Sequence, residues 1–188
     1  MTAGDLQQAL DGRRAVAVFG SSEPRPGEDA YREAHRAGVL LAEAGLAVVN
    51  GGYGGFMEAC SRGACEAGGP AIGVTVEGFL GRAAGNRWLT HEIREPDLYL
   101  RTRTLVDLAS GYIVLPGKAG TLAEVSFLWA LRRGSLLGDR PVVLAGPHWE
   151  EVVHTLREKG LLDPATLKGT WLAPTVDGAV GLLLENLS

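Results

Sequence analysis

Gly111-Tyr112-Ile113-Val114-Leu115-Pro116-Gly117-Lys118-Ala119-Gly120-Thr121-Leu122-Ala123-Glu124 is the stretch on which the rest of the chain is read. An apolar run with no polar face, residues 111–115, meets a Pro-Gly turn. A helical segment over 122–133 follows, with Val125, Leu128, Trp129 and Arg132 at spacings of three and four. A strand that is apolar on both faces is a strand covered on both faces. A strand, a glycine turn and a helix in that order make the unit from which parallel α/β sheets are built.

The same unit recurs on either side. Residues 14–19 form an apolar run that ends in Gly20-Ser21-Ser22, before a helical segment over 28–44. Residues 46–50 empty into Gly51-Gly52-Tyr53-Gly54-Gly55, before a small-residue helix over 56–67 that Gly68-Gly69-Pro70 stops. A third strand is expected at 71–76, a loop over 78–95, a short strand at 97–100 and a helix over 101–108. Beyond the central unit, a strand at 141–145, a helix over 149–158, an extended piece at 171–174 and a helix over 176–186 complete the pattern. The pattern is that of one α/β domain spanning 1–188: an open, mainly parallel sheet with helices on both faces.

Composition narrows the function. Glycine makes up 27 of 188 residues, about twice the usual share of ~7%, without a three-residue repeat. Lys plus Arg number 18 against 22 Asp plus Glu, a net charge of −4 with no basic run, which argues against a nucleic-acid partner. Apolar stretches stop well short of the ~20 residues a membrane span needs, and the first residues lack the apolar core of a secretion signal. Cys60 and Cys65, without a second pair, form neither a disulfide framework nor a zinc ribbon and suit a reducing cytoplasm. His35, His91, His148 and His154 lack metal-ligand spacing. Cys60 and Cys65 read as packing residues, Trp129 and Trp149 as core or dimer contacts. Ser21, with no His and Asp partner in the turns, is a poor nucleophile.

The glycines concentrate where strands hand over to helices. In open α/β sheets ligands bind at the carboxyl ends of the strands, near the point where strand order reverses. Glycine there lets backbone approach a ligand, and the next helix offers free N–H groups and a positive dipole end. Three such turns fit a nucleotide-sized ligand with a phosphate. Dinucleotide binding is disfavoured, because neither early turn fits G-x-G-x-x-G. A Walker loop is excluded, because Ala119 follows Lys118 and Tyr112 stands five before Gly117. The third turn ends Thr121-Leu122-Ala123-Glu124, which on local pattern is a T-x-x-E capping box. A carboxylate in the first turn of a helix facing a phosphate pocket can serve the ligand instead, and both readings stand at this point.

Taken together, Val18-Phe19-Gly20-Ser21-Ser22, Asn50 through Glu58, Arg101 with Leu105-Val106, and Leu115 through Glu124 resemble the LONELY GUY (LOG) family, long labelled "possible lysine decarboxylase". The resemblance implies a Rossmann-like fold, a homodimer and no cofactor; nothing in the sequence suggests the pyridoxal phosphate site a decarboxylase needs. It implies hydrolysis of the N-glycosidic bond of AMP or an N6-modified AMP, a cytokinin riboside 5′-monophosphate, to free base and ribose 5-phosphate. Arg101 and Glu124 match the family's catalytic Arg and Glu. Gly117, Lys118, Gly120 and Thr121 match its phosphate loop, and Ser21, Gly51, Gly52, Gly54 and Gly55 are expected at the ribose or phosphate. The loop over 78–95 is expected to cover the base. Two positions depart from the family pattern: Lys118 replaces the second glycine of P-G-G, and Thr102 follows the catalytic Arg. The alternative implied by the shared fold is a non-catalytic carrier of a nucleotide or of molybdenum cofactor, a pterin phosphate.

Overall fold

The computed structural model describes residues 9–78 and 85–187. Seven strands, all parallel, form one sheet: β1 (Ala15–Phe19), β2 (Ala47–Asn50), β3 (Ala71–Val76), β4 (His91–Glu95), β5 (Ala109–Val114), β6 (Val142–Ala145) and β7 (Thr170–Ala173). Among the described residues five helices connect strands, α1 (Asp29–Glu43), α2 (Phe56–Glu66), α3 (Leu98–Leu108), α4 (Ala119–Arg133) and α5 (His148–Glu158), and a sixth, α6 (Val176–Asn186), follows β7. The strand order is β4-β3-β2-β1-β5-β6-β7. The chain first builds outward from β1 through β4, then returns to the other side of β1 with β5. This is a Rossmann-like α/β fold, and its order reverses between β1 and β5, where a crevice opens at the carboxyl ends.

Alternation along β1 divides the interior in two. Val16 and Val18 join Tyr31, Leu41, Phe56, Cys60 and Leu183 in the layer under α1, α2 and α6. Ala15, Ala17 and Phe19 face the layer under α3, α4 and α5, with Leu105, Leu128, Trp129, Tyr112 and Trp149. Every residue of β1, β2 and β3 is buried, as the unbroken apolar runs require.

Three local expectations are corrected. Residues 91–95, read as part of a loop, are the edge strand β4, paired with β3 from Ile72↔His91 to Val76↔Glu95. Only Ile93 of its five residues is buried, so the charged run that hid it from periodicity is what an edge strand shows to water. Residues 97–100, read as a short strand, begin α3 instead. Asp97 Oδ1 accepts from the backbone N–H groups of Tyr99 and Leu100 at 2.8 and 2.9 Å, so the aspartate caps a helix. Finally, α4 begins at Ala119 rather than Leu122, with Lys118 in the N-cap position. Thr121 is therefore inside the helix, and the capping-box reading of Thr121 and Glu124 is replaced. No helix among the described residues is long and apolar enough to cross a membrane.

Candidate active site at the β1–β5 crevice

The turns after β1 and β5 are tied together by their backbones: Ser21 N–H donates to Pro116 O at 3.0 Å, and Leu115 N–H donates to Phe19 O at 2.8 Å. Between them and the start of α3 lies a cleft of about 260 Å³. Of the residues singled out in the sequence, Ser21, Arg101, Lys118, Gly120, Thr121 and Glu124 line it; Tyr53, Met57, Leu98 and Glu23 complete its wall.

The floor is a buried pair of opposite charges. Arg101 comes from the first turn of α3 and Glu124 from α4, and Arg101 Nη1 lies 3.7 Å from Glu124 Oε1, an ion-pair distance rather than a hydrogen bond. Both side chains are nearly closed off from water, at 11% and 14% exposure. The arginine is held from three sides. Its Nε donates to Val74 O at 2.9 Å, its guanidinium carbon stands 5.8 Å above the Tyr53 ring, and Gly51 leaves the room it fills. Tyr53 is fixed in turn, its hydroxyl accepting from Val76 N–H at 2.9 Å. Burial pushes the Glu124 carboxyl up to about 7, while the nearby Arg101 pulls in the opposite direction. One loosely held carboxyl that titrates near neutrality, beside a fixed cation, can stabilise developing positive charge and orient a water.

The start of α4 forms the second part of the cleft. No side chain caps it, so its first N–H groups and the positive end of its dipole are offered to a ligand. Gly117 lies tight against Thr121, where any Cβ would meet the threonine side chain. Gly120 has open space where its Cβ would be, and a phosphate could approach there.

Gly51, Gly52, Gly54, Gly55 and Gly117 are not among the residues that line this cleft. Gly55, at φ +67°, packs on the Ser21–Ser22 backbone, and Gly52, at φ +75°, packs on Thr75 and Gly73. The turn they form is pinned by Asn50, fully buried at the end of β2. Its Oδ1 accepts from Gly52 N–H at 2.8 Å, and its Nδ2 donates to Met57 O and Ser61 Oγ at 3.1 and 2.9 Å. Ser21 Oγ accepts from Glu23 N–H at 3.2 Å. Tyr53 and Glu23 in the cleft wall, and Asn50 beneath the glycine turn, are residues that sequence reasoning did not single out. The available signal was a polar residue closing an apolar run at Asn50, and an aromatic among four glycines at Tyr53.

Outside the cleft, Cys60 is buried and its thiol is pushed up to about 12, so it packs rather than reacts. Trp129 and Trp149 lie in the core. No group of three or more His, Cys, Asp or Glu among the described residues could hold a metal ion. Of the segment expected to cover the base, 79–84 lie outside the described residues. Asn86 holds to Gly52 O and Tyr53 O at 3.2 and 3.0 Å, which places the end of that segment on the glycine turn.

Comparison with known proteins places the chain among relatives of the same fold. A cytokinin riboside 5′-monophosphate phosphoribohydrolase of Rhodococcoides fascians is 28% identical over 185 residues, covering 94% of this chain and 92% of that protein. A pyrimidine/purine nucleotide 5′-monophosphate nucleosidase of Escherichia coli K12 is 30% identical over 149 residues, which cover 70% of this chain and 33% of the longer protein. Among solved structures, the molybdenum cofactor binding protein of Rippkaea orientalis superposes with a TM-score of 0.74 at 20% identity, over 94% of this chain and 98% of that one, a likeness of fold. The family model described as SLOG cluster4 matches residues 13–138, a span that holds the whole cleft from Ser21 to Glu124, and the chain belongs to that family.

Proposed function

We propose that the cleft hydrolyses the N-glycosidic bond of a purine nucleoside 5′-monophosphate, AMP or an N6-modified AMP, releasing free base and ribose 5-phosphate. The observation that carries this reading is the buried Arg101–Glu124 pair at the floor of a cleft whose other side is an uncapped helix start. Relatives whose names state nucleotide monophosphate hydrolysis, at 28% and 30% identity, support it. Cleavage of a glycosidic bond passes through an oxocarbenium-like ribose. The Glu124 carboxylate stabilises that charge and orients the attacking water. Arg101, as a fixed fork, holds the substrate's polar groups or polarises the departing base. The 5′-phosphate, seated on the turn from Gly117 to Thr121, places the anomeric carbon between them, so that binding energy remote from the bond sets its position. Neither metal nor organic cofactor enters this scheme.

The protein is proposed to act as a homodimer in the cytoplasm. The exposed positions of α4 between Lys118 and Arg132, among them Leu122, Ala123, Ser126, Phe127 and Ala130, carry no charge, a surface suited to a second copy of the chain. The free thiols of Cys60 and Cys65 suit a reducing compartment.

Chromatography of the protein incubated with AMP and with N6-isopentenyl-AMP tests the reaction. Free base and ribose 5-phosphate in equal amounts are expected, and the ratio of rates gives the preferred base. Release of inorganic phosphate, or no product from either nucleotide, would contradict the reading. Co-purification of a fluorescent pterin in that case would move the assignment to a carrier.

A further inference from the structure

Lys118 stands where the motif of the resembling family has glycine, and its ammonium is already engaged. Nζ lies 2.6 Å from Oε1 of Glu23. The two residues come from the turns after β1 and β5, on either side of the point where strand order reverses, and both line the cleft. The turn that presents Glu23 is fixed by the donation of its N–H to Ser21 Oγ. Neither partner is held by burial: the side chains are 74% and 62% exposed, so the pair is weak enough to be exchanged for a better anion. A better anion has reason to come. A lysine just ahead of a helix adds a cation to the positive end of the dipole, and no side chain caps the N–H groups of that end.

We propose that Lys118 is the residue by which the cleft selects a phosphomonoester, and that Glu23 is its internal competitor. An incoming phosphate takes the ammonium from the carboxylate. The apparent affinity for the ligand is thus set by an exchange between two anions. This rests on the reading that the ligand's phosphate sits at the start of α4. A phosphate with close to two charges and three acceptor oxygens satisfies both the ammonium and the open N–H groups, which one carboxylate oxygen does not. A nucleoside without phosphate offers nothing to Lys118 and leaves the pair closed.

Calorimetric titration with inorganic phosphate, AMP and adenosine tests this in the Glu124→Gln background, where AMP is not consumed. Four proteins are compared: that parent, and the same protein with Glu23→Gln, with Lys118→Met, and with both. Removing Glu23 is expected to tighten phosphate and AMP roughly three- to tenfold, and removing Lys118 to weaken both about tenfold, as suits rim charges. With Lys118 absent, the gain from Glu23→Gln falls below about twofold, because nothing is left to compete for; adenosine affinity stays level throughout. An unchanged phosphate affinity in Glu23→Gln overturns the proposal. So does an equal gain with and without Lys118, which would be plain repulsion, and so does a parent that binds no phosphate. Inorganic phosphate is read without turnover. Absence of base release by the wild-type protein would therefore sink the hydrolase reading and leave this outcome standing on its own.

Discussion

A methyl group on Gly51 would fall on the guanidinium of Arg101 and within 2.7 Å of Met57 Sδ. Glycine here leaves room that a side chain would fill. It makes the seat of a buried cation, Arg101. Gly51→Ala is expected to keep the fold and lower base release by at least ~100-fold, since misplacing a catalytic group by about 1 Å has that order of effect. Wild-type rates in a folded Gly51→Ala protein would show that Arg101 need not sit where it does. Glu124 gives a prediction in pH. Folded, the carboxyl keeps its proton to about 7; unfolded, it releases it near the ordinary value of 4.5. Between these values the native state binds more protons, so stability falls as pH rises through the window, by up to ~3 kcal/mol for the full shift. Denaturant melts of the wild type and Glu124→Gln should show the glutamine variant gaining on the wild type from pH 5 to 7.5. The difference isolates Glu124 from His148, whose burial lowers its pKa and acts in the opposite sense. In activity, the ionised carboxylate is the working form, so kcat/KM should climb to a plateau with a midpoint near 7. A rate independent of pH across 5.5–8 would take the carboxylate out of the rate law.

Helix α4 shows what element-level reading can and cannot recover. Its existence and inward face were legible, with Val125, Leu128 and Trp129 buried as the three-and-four spacing requires. Its start was not. Gly117-Lys118-Ala119-Gly120 carries two helix-disfavouring glycines and no cap, so propensity put the boundary three residues late and made a capping residue of Thr121. The turn ahead of that uncapped end is tied to β1 by the bond from Ser21 N–H to Pro116 O, a tertiary fact that no local pattern holds. Edge strand β4 was missed for the same kind of reason: pairing with β3 on one side allows four of its five residues to stay unburied. The packing of α1 on α2 was also hidden. A Cβ at Gly38 would strike Cys60 O, and one at Gly63 would strike His35 O, so two unremarkable helical glycines let the backbones touch. Helix propensity alone makes Gly38→Ala stabilising by about 1 kcal/mol. Overpacking against backbone is the larger effect, and a net loss of about 2 kcal/mol is expected in urea unfolding. A stabilised variant would mean that the helices can part at no cost.

On the scale of the molecule, the position of the site was readable before its composition. Glycine turns after three apolar runs pointed to the carboxyl edge, and the order β4-β3-β2-β1-β5-β6-β7 places the switch between the two turns that bear Ser21 and Lys118. The sequence could not show that Arg101, more than twenty residues from Glu124, reaches across the floor to it, nor that Gly51 leaves the room its guanidinium fills. Those are consequences of two strands and two helices meeting. The uncharged outer face of α4 belongs to this scale too. The proposed homodimer predicts a dimer mass for the wild type and a monomer mass for Phe127→Glu in light scattering at micromolar concentration. An unchanged dimer mass would place the interface elsewhere.

On the proposed reading, the buried carboxyl of Glu124 performs chemistry on a nucleoside monophosphate. Its most direct test is the rate of base release from AMP by Glu124→Gln, with AMP binding measured on the same folded sample. A loss of at least ~10³-fold in release is expected, with binding retained, because the substitution keeps the shape and removes the charge. Release at a rate near that of the wild type, with AMP bound, would leave Glu124 a buried residue of α4 with no part in the reaction.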